Sequence, residues 1–466
     1  MKPNARRTKP HVLTHAATYA TLTLPSDLAY SLGGLCQLFI LHPASFPSSY
    51  MARRSSLKRN LLLMVLYQVA MRAGWIFKTE SIVMPAVLDS LGGAPWLRGC
   101  LPMLNRFGQS IPPLLVSSRV KLMRRKKWGQ VLMTMLMSVA FLGLSAIWFY
   151  ADGKSLPWMA SAFLALYALF FIGTGINQLC FNTLQGKLVP TQIRGRLLLV
   201  ATVTGAVSSI AFAWFLMPRW LTSAGGDFRF IFGFSGVCFF IAALIATGFR
   251  EKGDDYDESG RSFKQLWQDT AAVLRTDHNF RRLSLVGAAF ATSMMLFPHY
   301  QAIGFRRLDL AFSQILTWVI IQNAGSAVFS FVVGPLADFR GNKLVLQFSL
   351  LCIVAAPLLA IGLSHFPTVG QFCYPLVFLL VGLTPVVVKV FCNYSLEVAE
   401  KADHPRYLST LMLCIAAPVI ASPLVGRCVS WFGFDAVFLA ITAIVFIGWL
   451  GTFGLEEPRE RMKDEG

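Results

Sequence analysis

From residue 57 onward the sequence offers twelve runs of about twenty mostly apolar residues, and a run of that length matches the hydrocarbon core of a bilayer. They lie near 61–85, 96–117, 129–151, 157–179, 197–217, 228–249, 283–304, 312–333, 344–364, 371–392, 407–427 and 434–455. Within lipid every backbone polar group must be satisfied internally, and runs this long select helices over barrel strands. The expected fold class is therefore all-α, a polytopic membrane protein of twelve transmembrane helices. Pro112, Pro113, Pro418 and Pro423 interrupt the second and eleventh runs, which neighbouring helices can accommodate.

Charge supports this reading and orients it. Only 14% of the residues are charged, about half the share of an average soluble domain, which excludes a soluble multidomain enzyme. The net charge of +19 would suggest nucleic acid in a soluble chain; here the cations belong to the membrane surface and no nucleic-acid partner is expected. With the N-terminus in the cytoplasm, inside segments hold twenty-seven Lys and Arg and outside segments seven, among them Arg98. This split places both termini inside a cell (inner, cytoplasmic) membrane. Residues 1–56 supply no span and read as a disordered leader or an over-extended start with the working chain beginning at Met51. Nine scattered cysteines form no paired or metal-like cluster and read as small buried hydrophobes.

The longest interruption divides the spans six and six. Residues 57–249 form an N-terminal bundle, 250–282 a cytoplasmic central loop, 283–456 a C-terminal bundle and 457–466 a cytoplasmic tail. Within the loop Phe263, Leu266, Trp267, Thr270, Val273 and Leu274 recur at helical spacing, which predicts an amphipathic helix along the interface. The bundles echo each other: Asn182 to Gln185, Pro190 and Arg194 correspond to Asn393 to Glu397, Pro405 and Arg406. A duplicated six-helix unit is the pattern of parallel-repeat transporters, whose site lies between the repeats.

After the eighth run stands Gly334-Pro335-Leu336-Ala337-Asp338-Phe339-Arg340-Gly341-Asn342-Lys343. It resembles the G-x-x-x-D-R-x-G-R-R loop signature of the major facilitator superfamily, with Gly334, Asp338, Gly341 and Lys343 matching and Arg340 supplying a cation one place late. The equivalent loop from Ser117 to Lys127 keeps the basic residues and lacks the aspartate and glycines. The resemblance spans residues 57 to 456. It implies two pseudo-symmetric six-helix bundles, alternating access, and a gating loop in which the Asp338 carboxylate latches one conformation.

Ionisable and amide groups inside spans are costly and mark cavities. Arg72 lies near the middle of the first run. At about 100° per residue Gln68, Arg72 and Thr79 share an arc of about 40°, with Glu80 about 80° from Arg72, whereas Lys78 points elsewhere and snorkels outward. Asn105, Arg106 and Gln109 cluster in the second run. Thr174, Gln178, Asn182 and Gln185 make a polar stripe in the fourth, and Gln322, Asn323, Ser326 and Ser330 repeat it in the eighth. His299 lies in the seventh, and Lys389 near the cytoplasmic end of the tenth. Ala201, Gly205, Ser209 and Ala213 form a small-residue ridge for packing. Arg72, Asn105, Arg106, Gln109, Gln178, Asn182, Gln185, His299, Gln322 and Asn323 are the candidate cavity residues, and Glu80 the candidate proton-coupling group.

No nucleotide-binding loop, zinc-protease helix or serine elbow is present, so the chain is expected to be neither an enzyme nor a cofactor or metal protein. The expected function is secondary transport of a small solute by a monomer, coupled to a proton or another ion. More cations than acids in the spans suggest an anionic solute. The alternative is a transporter-like sensor or scaffold without transport.

Overall fold

The computed structural model describes residues 54–92, 94–151, 156–221, 227–254, 263–400 and 403–457. The expected leader lies outside the described residues up to position 53, as does the tail beyond Glu457. All regular elements among the described residues are helical. The first seven are α1 (Arg54–Ile76), α2 (Val83–Ser90), α3 (Pro95–Leu122), α4 (Lys126–Ala151), α5 (Met159–Leu188), α6 (Thr191–Trp220) and α7 (Phe228–Thr247). A connecting helix α8 (Phe263–Thr276) leads to α9 (His278–Thr292), a 3-10 turn (Ser293–Leu296) and α10 (Phe297–Arg307). Then follow α11 (Gln314–Arg340), α12 (Asn342–His365), α13 (Pro367–Cys373), α14 (Pro375–Val381), α15 (Thr384–Val398), α16 (His404–Val419) and α17 (Ser422–Gly451).

Nine stretches among the described residues are long and apolar enough to cross a membrane. The first and second expected spans are not among them. Lys58, Arg59 and Arg72 in α1, and Arg98, Arg106 and three internal prolines in α3, dilute their apolar character. The last stretch, Arg406–Gly454, is 49 residues long and contains both α16 and α17.

Four expected spans are broken helices. The first ends as α1 at Ile76 and resumes as α2 at Val83, leaving Phe77 to Ile82 in a turn. The seventh passes from α9 through the 3-10 turn to α10, the tenth from α14 to α15, and the eleventh from α16 to α17. Proline stands in the first turn of α10, α14, α15 and α17, because its missing N–H costs nothing there while its ring blocks helix continuation. Within α17 the eleventh run gives way to the twelfth at Gly433, whose φ of 80° is cheap only for glycine.

In the N-terminal set α4 packs on α5 and α7, α3 on α5, and α1 on α6 and α7. In the C-terminal set α9 packs on α16 and α17, α11 on α14, and α12 on α14, α15 and α17. Lipid supplies no hydrophobic drive between helices, so close packing must hold them. Fully buried rings from α4, α5 and α7 do this in the first set, with Phe141 against Phe170, Phe232 and Phe239 at 4.7–6.0 Å between centroids. Glycine does it at one repeated crossing. A Cβ on Gly175 would lie 2.2 Å from the Gly108 carbonyl, and one on Gly382 2.2 Å from the Gln322 carbonyl. The α3–α5 and α11–α14 crossings are thus built alike. Helix α8 packs on α9 and α16.

Candidate functional site

The turn between α1 and α2 joins several of the candidate residues, because it brings Glu80 to Asn105 of α3 and Ser81 to Gln322 of α11. Broken helices in membrane proteins are sustained where the freed backbone lines a cavity or is buried in protein. The break also corrects two expectations. Gln68, Arg72, Thr79 and Glu80 do not share one helical register, since α1 ends before Thr79. Lys78 does not snorkel outward: it is buried, its Nζ 3.9 Å from the Trp75 ring centroid and 4.2 Å from that of Phe171. Two aromatic faces replace its water shell.

Glu80 accepts a hydrogen bond from the Asn105 amide, and Asn105 in turn accepts one from Gln109. The second-run cluster therefore meets the first-run acid as a chain of amides. Arg106 lies two residues before Gly108, the glycine at which α3 meets Phe171 of α5. It donates to the Met294 sulfur in the 3-10 turn at 2.8 Å. Arg72 is half-buried, its stem laid along Gly205, where a Cβ would come within 2.5 Å of Arg72 Cδ. Gly205 thus makes room for an arginine, a use that the small-residue ridge did not reveal. None of the ion pairs among the described residues joins Glu80 to Arg72, Arg106 or Lys78.

From the second set, Gln322 accepts from Ser81 at 2.6 Å. Asn323 donates to its own helix at Val319, and Ser326 donates to the Gly382 carbonyl at 2.5 Å. In α5, Gln178 donates to Asn182 at 2.8 Å, with both side chains exposed, and Gln185 is half-buried. Lys389 is exposed on α15, near enough to Arg72 for the two charges to interact. His299 is fully buried in α10, and neither ring nitrogen has a hydrogen-bond partner among the described residues.

The helix packing also produces groupings that no local pattern signalled. Tyr67, Thr134 and Asn177, from three helices, form a buried triangle with contacts of 2.9–3.1 Å. Arg98, expected among the flanking cations, is instead buried and paired with Asp89. Glu251, read as part of a charged loop, turns its carboxylate onto the first backbone N–H groups of α4, at Lys126 (3.0 Å) and Lys127 (2.9 Å). Glu457 repeats the arrangement at the start of α12, accepting from the Lys343 N–H at 3.3 Å beside Gly341, whose φ is 83°. A carboxylate at a helix N-terminus answers both unpaired donors and the positive end of the dipole. The expected gating loop is mostly helical: Gly334 to Arg340 form the last two turns of α11, Lys343 lies in the first turn of α12, and Gly341 alone separates the two helices, its positive φ making the bend. Gly334 and Arg340 are exposed, and the Asp338 side chain lies outside the described residues.

The helical arrangement recurs in solved structures. The nucleoside transporter NupG is similar over 85% of this chain and 98% of its own, with a TM-score of 0.64 and 11% identity. The chain carries the major facilitator superfamily fold. A POT family transporter in complex with 5-aminolevulinic acid is similar over 86% of this chain and 96% of its own (TM-score 0.62, 14% identity). The human organic anion transporter MFSD10 is similar over 85% and 99% (TM-score 0.53, 14% identity). No protein-family model and no curated protein matches the sequence.

Proposed function

We propose that the chain is a secondary transporter of a small anionic solute, working by alternating access between two six-helix bundles, residues 57–249 and 283–456, with twelve spans and both termini in the cytoplasm of a cell-membrane setting. The observation that carries the anionic reading is the excess of interior cation. Lys78, Arg72 and Arg106 stand against the single carboxylate of Glu80, which accepts from Asn105 and lies within electrostatic reach of Lys78 and Arg106, so that one acid faces three cations. Desolvated arginine without a counter-charge is expensive, and its planar fork suits a carboxylate or phosphate that arrives with the solute.

In this reading Arg72 and Arg106 hold the anion. Asn105, Gln109, Gln178, Asn182, Gln185, Gln322 and Asn323 set its orientation, and Glu80 exchanges the coupling proton. The loop of Gly334, Asp338, Arg340, Gly341 and Lys343 latches one conformation. The similarity to a protein named as an organic anion transporter supports the same solute class.

Uptake into proteoliposomes by the parent, Arg72→Gln and Arg106→Gln tests it, with thermal stabilisation by organic anions as the binding readout. Organic anions are expected to stabilise the parent, and at least one Gln variant should lose both stabilisation and uptake. If no organic anion stabilises the protein while both variants move a neutral solute at the parent rate, the anion reading falls.

A further inference from the structure

At the end of the molecule opposite the Glu251 and Glu457 caps, the N-terminal and C-terminal helices meet through polar groups. Gln301 on α10 donates to Asp89 on α2 at 3.4 Å, and Asp89 also holds Arg98 at the start of α3. Alongside, α3 lies against α17 so closely that a Cβ on Gly99 would meet the Ser422 carbonyl at 2.3 Å, and one on Gly426 the Pro95 carbonyl at 2.4 Å. The contact is tight but poorly satisfied. Arg98 Nη1, Gln301 Oε1, Ser422 Oγ and both ring nitrogens of His299 are buried without a hydrogen-bond partner among the described residues. Such atoms regain partners when water enters, so this interface holds closed while favouring hydration once parted.

His299 adds a titratable group. The charged groups near enough to act on its ring are Arg98 on α3 and Arg306 on its own helix. Asp89 is the acid that faces both of these arginines. On the other helices packed against α10, Asp435 of α17 pairs with Arg307 at 2.5 Å and with His365 of α12 at 3.5 Å. An imidazolium at position 299 would place a third cation against one carboxylate, with two N–H donors lacking acceptors. A neutral ring suits the closed contact, and a charged one suits a hydrated, open contact.

We propose that His299 is a proton-binding site whose occupancy parts α10 from the α2–α3 turn, with Asp89, Arg98 and Gln301 as the clasp that it releases. This rests on the alternating-access reading above and gives His299 a role apart from solute contact. Because the proton binds the open form better, acid shifts the population toward that form, within the range set by an imidazole's ordinary pKa of about 6.5.

Hydroxyl-radical footprinting of the full chain in nanodiscs reads the parting without any solute. Cys100, 7% exposed and one residue past Gly99, and the buried Tyr300 report on the contact, while Trp128, 53% exposed, normalises the dose. Oxidation at Cys100 and Tyr300 should rise about threefold or more between about pH 8 and about pH 5.5 in the parent. It should stay low at both pH values in His299→Gln, and be high at both in His299→Arg and Asp89→Asn. If His299→Gln keeps the parent's rise while Asp89→Asn opens the contact, the proton site is wrong and the clasp stands. If Asp89→Asn and His299→Arg both stay protected at every pH, neither group controls the contact and the clasp is wrong, while the alternating-access reading is judged separately by the uptake assay above.

Discussion

Removing the Glu251 carboxylate should cost more stability than removing any cation around it. The side chain is fully buried; it accepts from the Lys126 and Lys127 backbone N–H groups and pairs with Lys187 at 2.8 Å. In Glu251→Ala the Lys126 N–H, at a buried residue, loses its acceptor outright, and the Lys127 N–H, at a half-buried one, recovers part of its loss from water. An unsatisfied buried donor costs about 1–3 kcal/mol, so the two together should cost about 2–4 kcal/mol. Lys187 is partly exposed and keeps Asp254 at 2.9 Å, so its share is small, below about 1 kcal/mol. Glu251→Gln retains one acceptor oxygen and loses the charge at the helix dipole, for about 1–2 kcal/mol. Equilibrium unfolding in bicelles, followed by tryptophan fluorescence, measures all three variants including Lys187→Met. The reasoning is refuted if Glu251→Ala lies within about 0.5 kcal/mol of the parent, below the cost of even one lost donor. It is equally refuted if Lys187→Met costs as much as Glu251→Ala, which would put the energy in the ion pair instead of the helix start.

Tyr67→Phe should destabilise by about 1–2 kcal/mol, near the low end for a buried hydroxyl, because Thr134 and Asn177 still bond each other at 3.0 Å; the same unfolding assay checks it. Asp254, in the loop after α7, has its carboxyl held below the usual aspartate range, first by the Lys126 ammonium that donates to it and then by Lys187. A depressed folded value means that this stabilisation is complete above the unfolded pKa of about 3.9 and is lost as pH falls through the folded value. Unfolding titrated downward from about pH 6 should show that loss in the parent and a flatter profile in Asp254→Asn.

The helical class and the approximate positions of nine membrane-length stretches among the described residues were legible in the sequence. Hydrocarbon thickness and the demand for internal hydrogen bonds translate directly into run length. Of the prolines that interrupt the runs, Pro418 and Pro423 flank a real break, whereas Pro112 and Pro113 lie inside the continuous helix α3, and the break at Phe77–Ile82 has no proline before it within the run. Helical-wheel arithmetic failed there for a physical reason: a register holds only while the helix continues, and six residues of turn reset it. That reset buried Lys78 between two aromatic rings and brought Glu80 to Asn105.

Pairings across the sequence were decided by tertiary structure alone. Arg98 counted as a flanking cation, Glu251 fell in the loop between the bundles, His299 stood as a cavity candidate and Asp89 carried no signal of its own, because composition and spacing describe a residue's own element. Which carboxylate meets which helix start, and which polar atoms are buried without partners, depends on how α3 crosses α5 and α17 and how α10 lies on α2. Those crossings are set by backbone approach at glycines such as Gly175, Gly382 and Gly426. A glycine permits such an approach without naming its partner, so sequence determines where helices can come close and only the packed bundle determines what they meet.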